Sequence, residues 1–331
     1  MQIFLNILYL IIGFALLIKG ADFFVESSAS IAKKLRVPTL IIGLTLVAFG
    51  TSLPELAVSL TAALKASSEG VSADIAMGNI VGSNVANITL ILGTSALMMP
   101  IIVHKTIRKR EFPFLLGISI LLFVFALLFQ ADKQIVWWEA LMLLVCFAGY
   151  IIMMSKTKQD AEVVEEIQII SHKKAILLLL IGLTGVTLGG ILVTNSAEFL
   201  SLQILTDLFG VLETDAKTLI GLSVVALGTS LPELVTSIVA ASKNEGDIAL
   251  GNVIGSNIFN SLLIVGLAGV ITPLGLNSGV IIDMVIVIGI TVLTFIFTLT
   301  KKQLSKVDGA VLLVLYVSYI IYIVLRAFGR F

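Results

Sequence analysis

The chain has 331 residues, of which 58% are hydrophobic and 13% are charged, and its 21 basic residues balance its 21 acidic residues. A soluble globular domain carries about 25% charged residues, so this composition excludes an ordinary soluble protein. The single cysteine, Cys146, excludes an intrachain disulfide, and a chain whose only other candidates are His104 and His172 gives no support for a zinc site.

Ten long apolar stretches follow one another along the chain. A helix of about 20 apolar residues crosses a bilayer, and each stretch approaches or exceeds that length. The first stretch lacks a basic flank and a small-residue cleavage site, so we predict a membrane span there and not a removed signal peptide. The sequence thus predicts an all-α polytopic membrane protein with ten transmembrane helices. The predicted spans are 3–31, 38–64, 74–103, 113–130, 135–155, 175–203, 217–242, 247–273, 278–300 and 308–328.

The basic residues are distributed unevenly between the loops on the two sides of these spans. With the N-terminus outside, most lysines and arginines fall in inner loops, which satisfies the positive-inside rule. We therefore predict an integral protein of the cytoplasmic (plasma) membrane, with both termini outside and the polar loop 156–174 in the cytoplasm. The same rule accounts for the basic clusters without a nucleic-acid partner. We expect the lipid bilayer as the surroundings of the chain, and the sequence indicates no obligate protein partner.

Two motifs occur twice inside the apolar stretches. The sequence GTSLPEL lies at Gly50–Leu56 and Gly228–Leu234, and GN-x-x-GSN lies at Gly78–Asn84 and Gly251–Asn257. Each half of the chain holds about five spans, with the motifs in its second and third. Because five is odd, the halves enter the membrane in opposite senses, which is the inverted-topology repeat of many secondary transporters. The predicted parts are a first five-helix repeat at 1–155, a cytoplasmic linker at 156–174 and a second five-helix repeat at 175–331.

The first motif places a carboxylate, Glu55 or Glu233, inside a membrane span. A charged side chain at the centre of a span costs roughly 2.5–3.5 kcal/mol on insertion scales, so such residues mark an ion or substrate path. Pro54 lacks an N–H and should free the Gly50 carbonyl, while Thr51 lies one helical turn before Glu55 on the same face. Carbonyls, hydroxyls and a carboxylate form an all-oxygen set suited to Ca²⁺ or Na⁺. Because the halves are inverted, the two copies should meet at one site.

Each of these features also has a purely structural interpretation. A proline can simply bend a helix, a threonine or serine can bond to its own helix, and a duplicated scaffold can serve only to pack helices. A repeat that serves packing needs small and apolar residues, whereas acids, amides and hydroxyls recur in this chain. The cost of burying those groups favours the transporter interpretation.

The second motif predicts the helix that faces the first. Its polar residues recur every four positions and form a stripe on one helix face: Asn79, Ser83 and Asn87 in the first copy, and Asn252, Ser256 and Asn260 in the second. We predict that the serine and the last asparagine of each stripe bind the ion and that the first asparagine is structural. Interhelical hydrogen bonding is the alternative for the whole stripe. Asn84 and Asn257 lie off the stripe, where we expect bonds to neighbouring backbone, and the glycines at a spacing of four predict close helix packing.

GTSLPEL followed by GN-x-x-GSN, present twice, resembles the two alpha-repeats of sodium/calcium exchangers, within the cation/calcium antiporter superfamily. The resemblance covers both motif regions and the ten-span layout. It implies that several Na⁺ and one Ca²⁺ compete for overlapping sites, and that the helices around 3–31 and 175–203 slide as a gate. The alanines among the implied ligands would act through their backbone carbonyls. The implied ligands are Ala48, Thr51, Ser52, Glu55, Ser83, Asn87, Ala226, Thr229, Ser230, Glu233, Ser256 and Asn260.

The chain departs from the better-known members of that family at one position. Those members pair an asparagine in the first repeat with an aspartate in the second, whereas Asn87 and Asn260 are both amides here. Such a site carries two formal negative charges, from Glu55 and Glu233, which is enough to neutralise Ca²⁺. The departure leaves the ion stoichiometry and the dependence on Na⁺ open.

The sequence therefore predicts a secondary active, electrogenic antiporter that exchanges Na⁺ for Ca²⁺ by alternating access. The alternative is a Ca²⁺/H⁺ antiporter on the same scaffold, although that branch typically carries a glutamate within the GN motif. A cation channel is less favoured, because an inverted repeat within one chain suits alternating access. An enzyme is not expected, since the chain contains neither HExxH nor GxSxG, and no cofactor is expected besides the transported Ca²⁺ and Na⁺.

Overall fold

The computed structural model describes residues 2–35, 37–128, 134–156, 171–209 and 226–327. Within these ranges the chain is almost entirely helical, and four very short strands lie between helices. Helices dominate because apolar backbone in a membrane must satisfy its N–H and C=O groups within its own segment. The fold is therefore that of an all-α polytopic membrane protein.

The first half begins with α1 (Gln2–Leu35), the longest described helix. Its counterpart in the second half, α8 (His172–Gln203), is the next longest. Three turns of π-helix interrupt or extend the helices of the first half, at Gly43–Val47 inside α2, at Asn87–Ile91 between α4 and α5, and at Ile107–Glu111 before α6. The helices are α1 (Gln2–Leu35), α2 (Thr39–Thr51), α3 (Leu53–Glu69), α4 (Asp74–Ala86), α5 (Leu92–Met98), α6 (Phe112–Leu128) and α7 (Trp137–Lys156).

The second half repeats this order. A π-helical turn at Phe259–Ile264 joins α11 to α12, as Asn87–Ile91 joins α4 to α5, and a further one at Ile204–Leu208 follows α8. The helices are α8 (His172–Gln203), α9 (Ala226–Thr229), α10 (Leu231–Ser242), α11 (Gly246–Ile258), α12 (Val265–Ile271), α13 (Ser278–Lys301) and α14 (Lys306–Ala327).

Nine of the ten predicted spans have a counterpart among these helices. In the described part of the chain, eight helical segments are long and apolar enough to cross a membrane, and α2 with α3 forms a ninth span that is bent by 47°. The predicted span 217–242 is described only from Ala226 onward, where it contains the short apolar helix α10. Large apolar side chains on the outer helices are exposed, such as Phe4, which is 69% accessible, as expected for a surface that faces lipid.

Two short strand pairs show that the halves are inverted. Strand β1 (Ile101–Ile102) precedes α6 and β2 (Gln134–Ile135) follows it, so they lie at opposite ends of that helix. Strand β3 (Leu274–Gly275), the equivalent of β1 in the second half, pairs with β2, and β4 (Gln303–Leu304) pairs with β1. Equivalent strands therefore lie on opposite faces of the molecule, as an inverted-topology repeat requires.

Helices α1 and α8 cross as an antiparallel pair. A Cβ atom added at Gly13 would lie near Gly189 and Val193, and one added at Gly20 would lie near Gly182 and Val186. Glycines therefore let the two backbones touch, since small residues at a crossing allow transmembrane helices to approach closely. Apolar side chains of both helices, such as Leu17, Phe24 and Val186, are buried beside these glycines.

We predict that Gly182→Ala destabilises the protein, because the added Cβ would lie 2.6 Å from the Phe24 backbone nitrogen. Overpacking of this kind costs about 1–3 kcal/mol. Gly149→Ala in α7 is the matched control, since its Cβ meets nothing within 4 Å among the described residues. It should leave stability unchanged or raise it by up to about 1 kcal/mol through helix propensity. Melting temperatures in detergent measure both, and equal values would contradict the proposed close crossing.

Candidate ion-binding site

The GTSLPEL motif breaks its helix in both halves. Ser52 lies between α2 and α3 with φ −80° and ψ 8°, and Ser230 lies between α9 and α10 with φ −88° and ψ 5°. The proline that follows each serine sits in the first turn of the next helix, where its missing N–H breaks no helical hydrogen bond. The predicted kink is confirmed in the first copy by the 47° bend between α2 and α3.

Each break creates a helix N-terminus beside a glutamate. Glu55 lies in the first turn of α3 and Glu233 in the first turn of α10. The N-terminal end of a helix carries a partial positive charge and unpaired N–H groups, which stabilise a carboxylate. Discontinuous helices in secondary transporters place their ends at the ion or substrate site in this way.

The two glutamates are joined crosswise to the opposite halves. The Ser52 hydroxyl donates to Glu233 Oε1 at 2.9 Å, and the Ser230 hydroxyl donates to Glu55 Oε1 at 3.1 Å. All four side chains are at most 3% exposed. The two carboxylates lie close enough for their charges to repel each other. The two copies of the motif therefore meet in the interior.

The second motif carries buried oxygen atoms without hydrogen-bond partners among the described residues, as do the two carboxylates. In the described part of the chain, eleven buried side-chain polar atoms have no hydrogen-bond partner. Six of them are oxygens of side chains that the sequence analysis selected, in three equivalent pairs: Glu55 Oε2 and Glu233 Oε2, Ser83 Oγ and Ser256 Oγ, Asn87 Oδ1 and Asn260 Oδ1. A buried unpaired polar group costs about 1–3 kcal/mol. A hard cation with 6–8 oxygen ligands would relieve that cost.

The remaining selected residues lie at the helix breaks. Thr51 is fully buried, and its hydroxyl donates to Asn252 Oδ1 at 3.0 Å. The Ala48 carbonyl accepts the Ser52 N–H at 3.0 Å and lies 3.4 Å from the Thr51 hydroxyl. Thr229 is 6% exposed, and Ala226 is the first described residue of α9.

The first asparagine of each stripe bonds to protein in equivalent ways. Asn79 donates to the Ser59 hydroxyl at 3.2 Å, and Asn252 donates to the Ser237 hydroxyl at 3.0 Å. These bonds connect the third helix of each half to its own second span. They agree with the structural role that we predicted for Asn79 and Asn252.

The expectation for Asn84 and Asn257 is wrong. We expected these side chains to bond neighbouring backbone, but each accepts a hydrogen bond from the opposite half: Asn257 from Asn87 at 3.3 Å, and Asn84 from Asn260 at 3.2 Å. Both residues lie off the polar stripe of their own helix, and the periodicity of one helix does not show which side chains the opposite half presents to it. Their recurrence in both copies of GN-x-x-GSN was the signal that could have identified them.

The predicted glycine packing is present in the second copy. Gly251 and Gly255 lie against the backbone of α2, where added Cβ atoms would meet Leu40 and Leu44 carbonyl oxygens at 2.8 and 2.6 Å. Added Cβ atoms at Gly78 and Gly82 meet nothing within 4 Å among the described residues. The chain segment of the second half that corresponds to residues 40–44 lies outside the described residues.

The described residues contain no group of three or more His, Cys, Asp and Glu side chains that could hold a metal. The site instead combines two carboxylates with neutral hydroxyl and amide oxygens. A set of this composition suits a hard cation that is bound and released, since few charged ligands lower the affinity for Ca²⁺.

Comparison with known proteins gives matches along almost the whole chain. The profile of the family described as "Sodium/calcium exchanger protein" matches residues 5–156 and 174–325. The chain is 34% identical to "Putative antiporter CaxA" of Alkalimonas amylolytica over 325 residues, covering 94% of this chain and 96% of that protein. It is 32% identical to "Sodium/calcium exchanger MaX1" of Methanosarcina acetivorans over 359 residues, covering 97% and 99%.

Solved structures of the sodium-calcium exchanger NCX_Mj have the same fold. The structure of NCX_Mj soaked without Na⁺ and Ca²⁺ matches with a TM-score of 0.80 at 32% identity, covering 97% of this chain and 99% of that chain. The structure soaked with 100 mM Na⁺ and 10 mM Sr²⁺ matches with a TM-score of 0.79 at 31% identity, covering 96% and 98%.

We predict that Ser52→Ala weakens Ca²⁺ binding about tenfold or more, because a hydrogen bond to a buried charged group contributes roughly 1.5–3 kcal/mol. The control is Ser95→Ala, since Ser95 is also buried but, within the described part of the chain, bonds only the Ile91 carbonyl of its own helix. Equilibrium binding of ⁴⁵Ca to the purified protein measures both. An equal loss in the two variants would show that Ser52 has no special place at the site.

Proposed function

The chain belongs to the sodium/calcium exchanger protein family, and we propose that it is a secondary active antiporter that exchanges Na⁺ for Ca²⁺ across the membrane by alternating access. The observation that carries this proposal is the convergence of Glu55 and Glu233, each bonded to a serine of the opposite half. Two carboxylates neutralise one Ca²⁺ or two Na⁺, so the ions compete for the same charge.

The proposed ligands are those that the resemblance implies. They are Ala48, Thr51, Ser52, Glu55, Ser83 and Asn87 from the first half, and Ala226, Thr229, Ser230, Glu233, Ser256 and Asn260 from the second. The six unpartnered oxygens among them support this set, since a transported ion that binds there would satisfy groups that are otherwise buried at a cost.

Alternating access follows from the inversion of the halves. If equivalent elements take opposite conformations in the two halves, exchanging those conformations opens the site to the other side of the membrane. The close backbone contact between α1 and α8 at Gly13, Gly20, Gly182 and Gly189 supports a sliding gate, because no Cβ atom stands in the way at these four positions.

We propose that transport is electrogenic: the two carboxylates balance one Ca²⁺ or two of the Na⁺, further Na⁺ binds the neutral oxygens, and exchange of one Ca²⁺ for more than two Na⁺ transfers net charge. The rival is Ca²⁺/H⁺ exchange at the same two carboxylates, which the relative named as a putative antiporter leaves open. A cation channel is the less favoured alternative. Under any of these proposals the chain moves ions rather than catalysing a reaction, and it needs no resident cofactor.

We further propose that the protein lies in the cytoplasmic membrane with both termini outside. The linker 156–174 is then cytoplasmic and connects repeats at 1–155 and 175–331. The positive-inside distribution of lysines and arginines supports this orientation.

We predict that Glu55→Gln and Glu233→Gln each abolish Ca²⁺ uptake, because the site then holds one negative charge for a divalent ion. Glu139→Gln is the control, since Glu139 is fully buried and, among the described residues, accepts only the Val136 N–H at 2.9 Å, a role that a glutamine oxygen keeps. Uptake of ⁴⁵Ca into proteoliposomes measures all three. Near-normal flux in either site variant would remove that glutamate from the proposed site.

We predict that a Na⁺ gradient drives uptake. Proteoliposomes loaded with Na⁺ should accumulate ⁴⁵Ca, whereas those loaded with K⁺ or acid buffer should not. An inside-positive potential, set with K⁺ and valinomycin, should accelerate uptake, because more than two positive charges leave for each Ca²⁺ that enters. Uptake that ignores internal Na⁺ would contradict the proposal, and uptake driven by internal acid would support proton exchange.

A further inference from the structure

Four buried asparagines form two pairs across the interface between the halves. Asn87 Nδ2 donates to Asn257 Oδ1 at 3.3 Å, and Asn260 Nδ2 donates to Asn84 Oδ1 at 3.2 Å. The side chains are at most 5% exposed. The two bonds are equivalent, because 84 aligns with 257 and 87 aligns with 260 at the same sequence offset. Each proposed ligand amide is thus held by an asparagine from the other half.

The chemistry of an amide makes this contact important for a cation. An asparagine side chain ends in a carbonyl oxygen, which binds cations, and an NH₂ group of similar size, which repels them. Packing alone does not distinguish the two orientations. In Asn87 and Asn260 the NH₂ group is occupied by the opposite asparagine, and the oxygen has no partner among the described residues. The partner therefore determines which end of the amide is presented to the ion.

The first of these partners is itself oriented. Asn84 Nδ2 donates to the Ser261 hydroxyl at 3.0 Å, which leaves Asn84 Oδ1 to accept from Asn260. The residue equivalent to Ser261 in the first half is Ile88, which has no side-chain acceptor. Asn257 Nδ2 accordingly has no hydrogen-bond partner in the described part of the chain. The bond between the two asparagines is therefore equivalent in both pairs, whereas only Asn84, within the described part of the chain, has a further hydrogen bond, to Ser261.

We propose that Asn84 and Asn257 are positioning residues that turn the Asn87 and Asn260 oxygens towards the transported ion. They do not bind the ion in this proposal. The inference rests on the proposed function only in taking the shared site to be the Ca²⁺ site. It explains why both copies of the motif carry a second asparagine that lies off the ligand stripe.

The test uses equilibrium ⁴⁵Ca binding to the purified full chain. Asn257→Leu removes the acceptor with little change in size, so the Asn87 amide can rotate and the dissociation constant should rise at least tenfold. The same substitution is then made together with Asn87→Asp, whose two carboxyl oxygens are equivalent. Rotation no longer matters in that background, so Asn257→Leu should change the dissociation constant less than twofold. A packing role would raise it equally in both backgrounds.

Asn84→Leu, with and without Asn260→Asp, repeats the experiment on the other asparagine pair. It replaces the first experiment if Asn257→Leu does not fold. Ser261→Ala, a smaller change, should weaken binding in the same direction as Asn84→Leu but less. Equal effects in the two backgrounds, or no effect of either leucine variant, would overturn the proposal. A wild-type chain that binds Ca²⁺ but shows no Na⁺-driven uptake would contradict exchange and not this inference. Failure of the wild type to bind Ca²⁺ would overturn both.

Discussion

Two carboxylates held together in an apolar interior are the constraint on which the rest of the structure depends. Glu55 and Glu233 are almost fully buried and repel each other, and removing each from water costs several kcal/mol. Two contacts offset this cost: each glutamate accepts a serine hydroxyl from the opposite half, and each lies at the N-terminus of its own helix. Neither half can therefore form the site alone.

The breaks in the helices follow from the same constraint. In a continuous helix, the N–H groups beside each glutamate would donate to backbone carbonyls of the preceding turn and would not be free to bond the carboxylate. The interruptions at Ser52 and Ser230 create new N-termini at the depth where the charges lie, and the following prolines begin the second segments without losing a hydrogen bond. The helix break, the buried glutamate and the serine that bonds the glutamate of the opposite half therefore occur together, once in each half.

Much of this arrangement could be predicted from the sequence, because it depends on local patterns. Apolar length predicted the spans, the prolines predicted the kinks, and the repeated acids predicted that the motifs meet. The partners of Asn84 and Asn257 could not be predicted, because an amide donates and accepts equally well and the choice depends on which side chain the other half presents. The short strands at residues 101–102 and 303–304 also escaped prediction, since their pairing joins segments some 200 residues apart. The ligand set itself stays a prediction.

The strand pairs have a mechanical consequence. β1 with β4 and β2 with β3 connect the loops that flank α6, α7, α13 and α14, so α6 and α13 are joined to their neighbours at both ends and α7 and α14 at one end each. Helices α1 and α8 take part in neither pair and contact each other through glycine. Strand pairs therefore connect α6, α7, α13 and α14, whereas α1 and α8 form a pair that no described strand connects to them. If α1 and α8 slide as proposed, the thickness of the surrounding bilayer would contribute to the resistance to that movement, because both helices expose apolar side chains over much of their length.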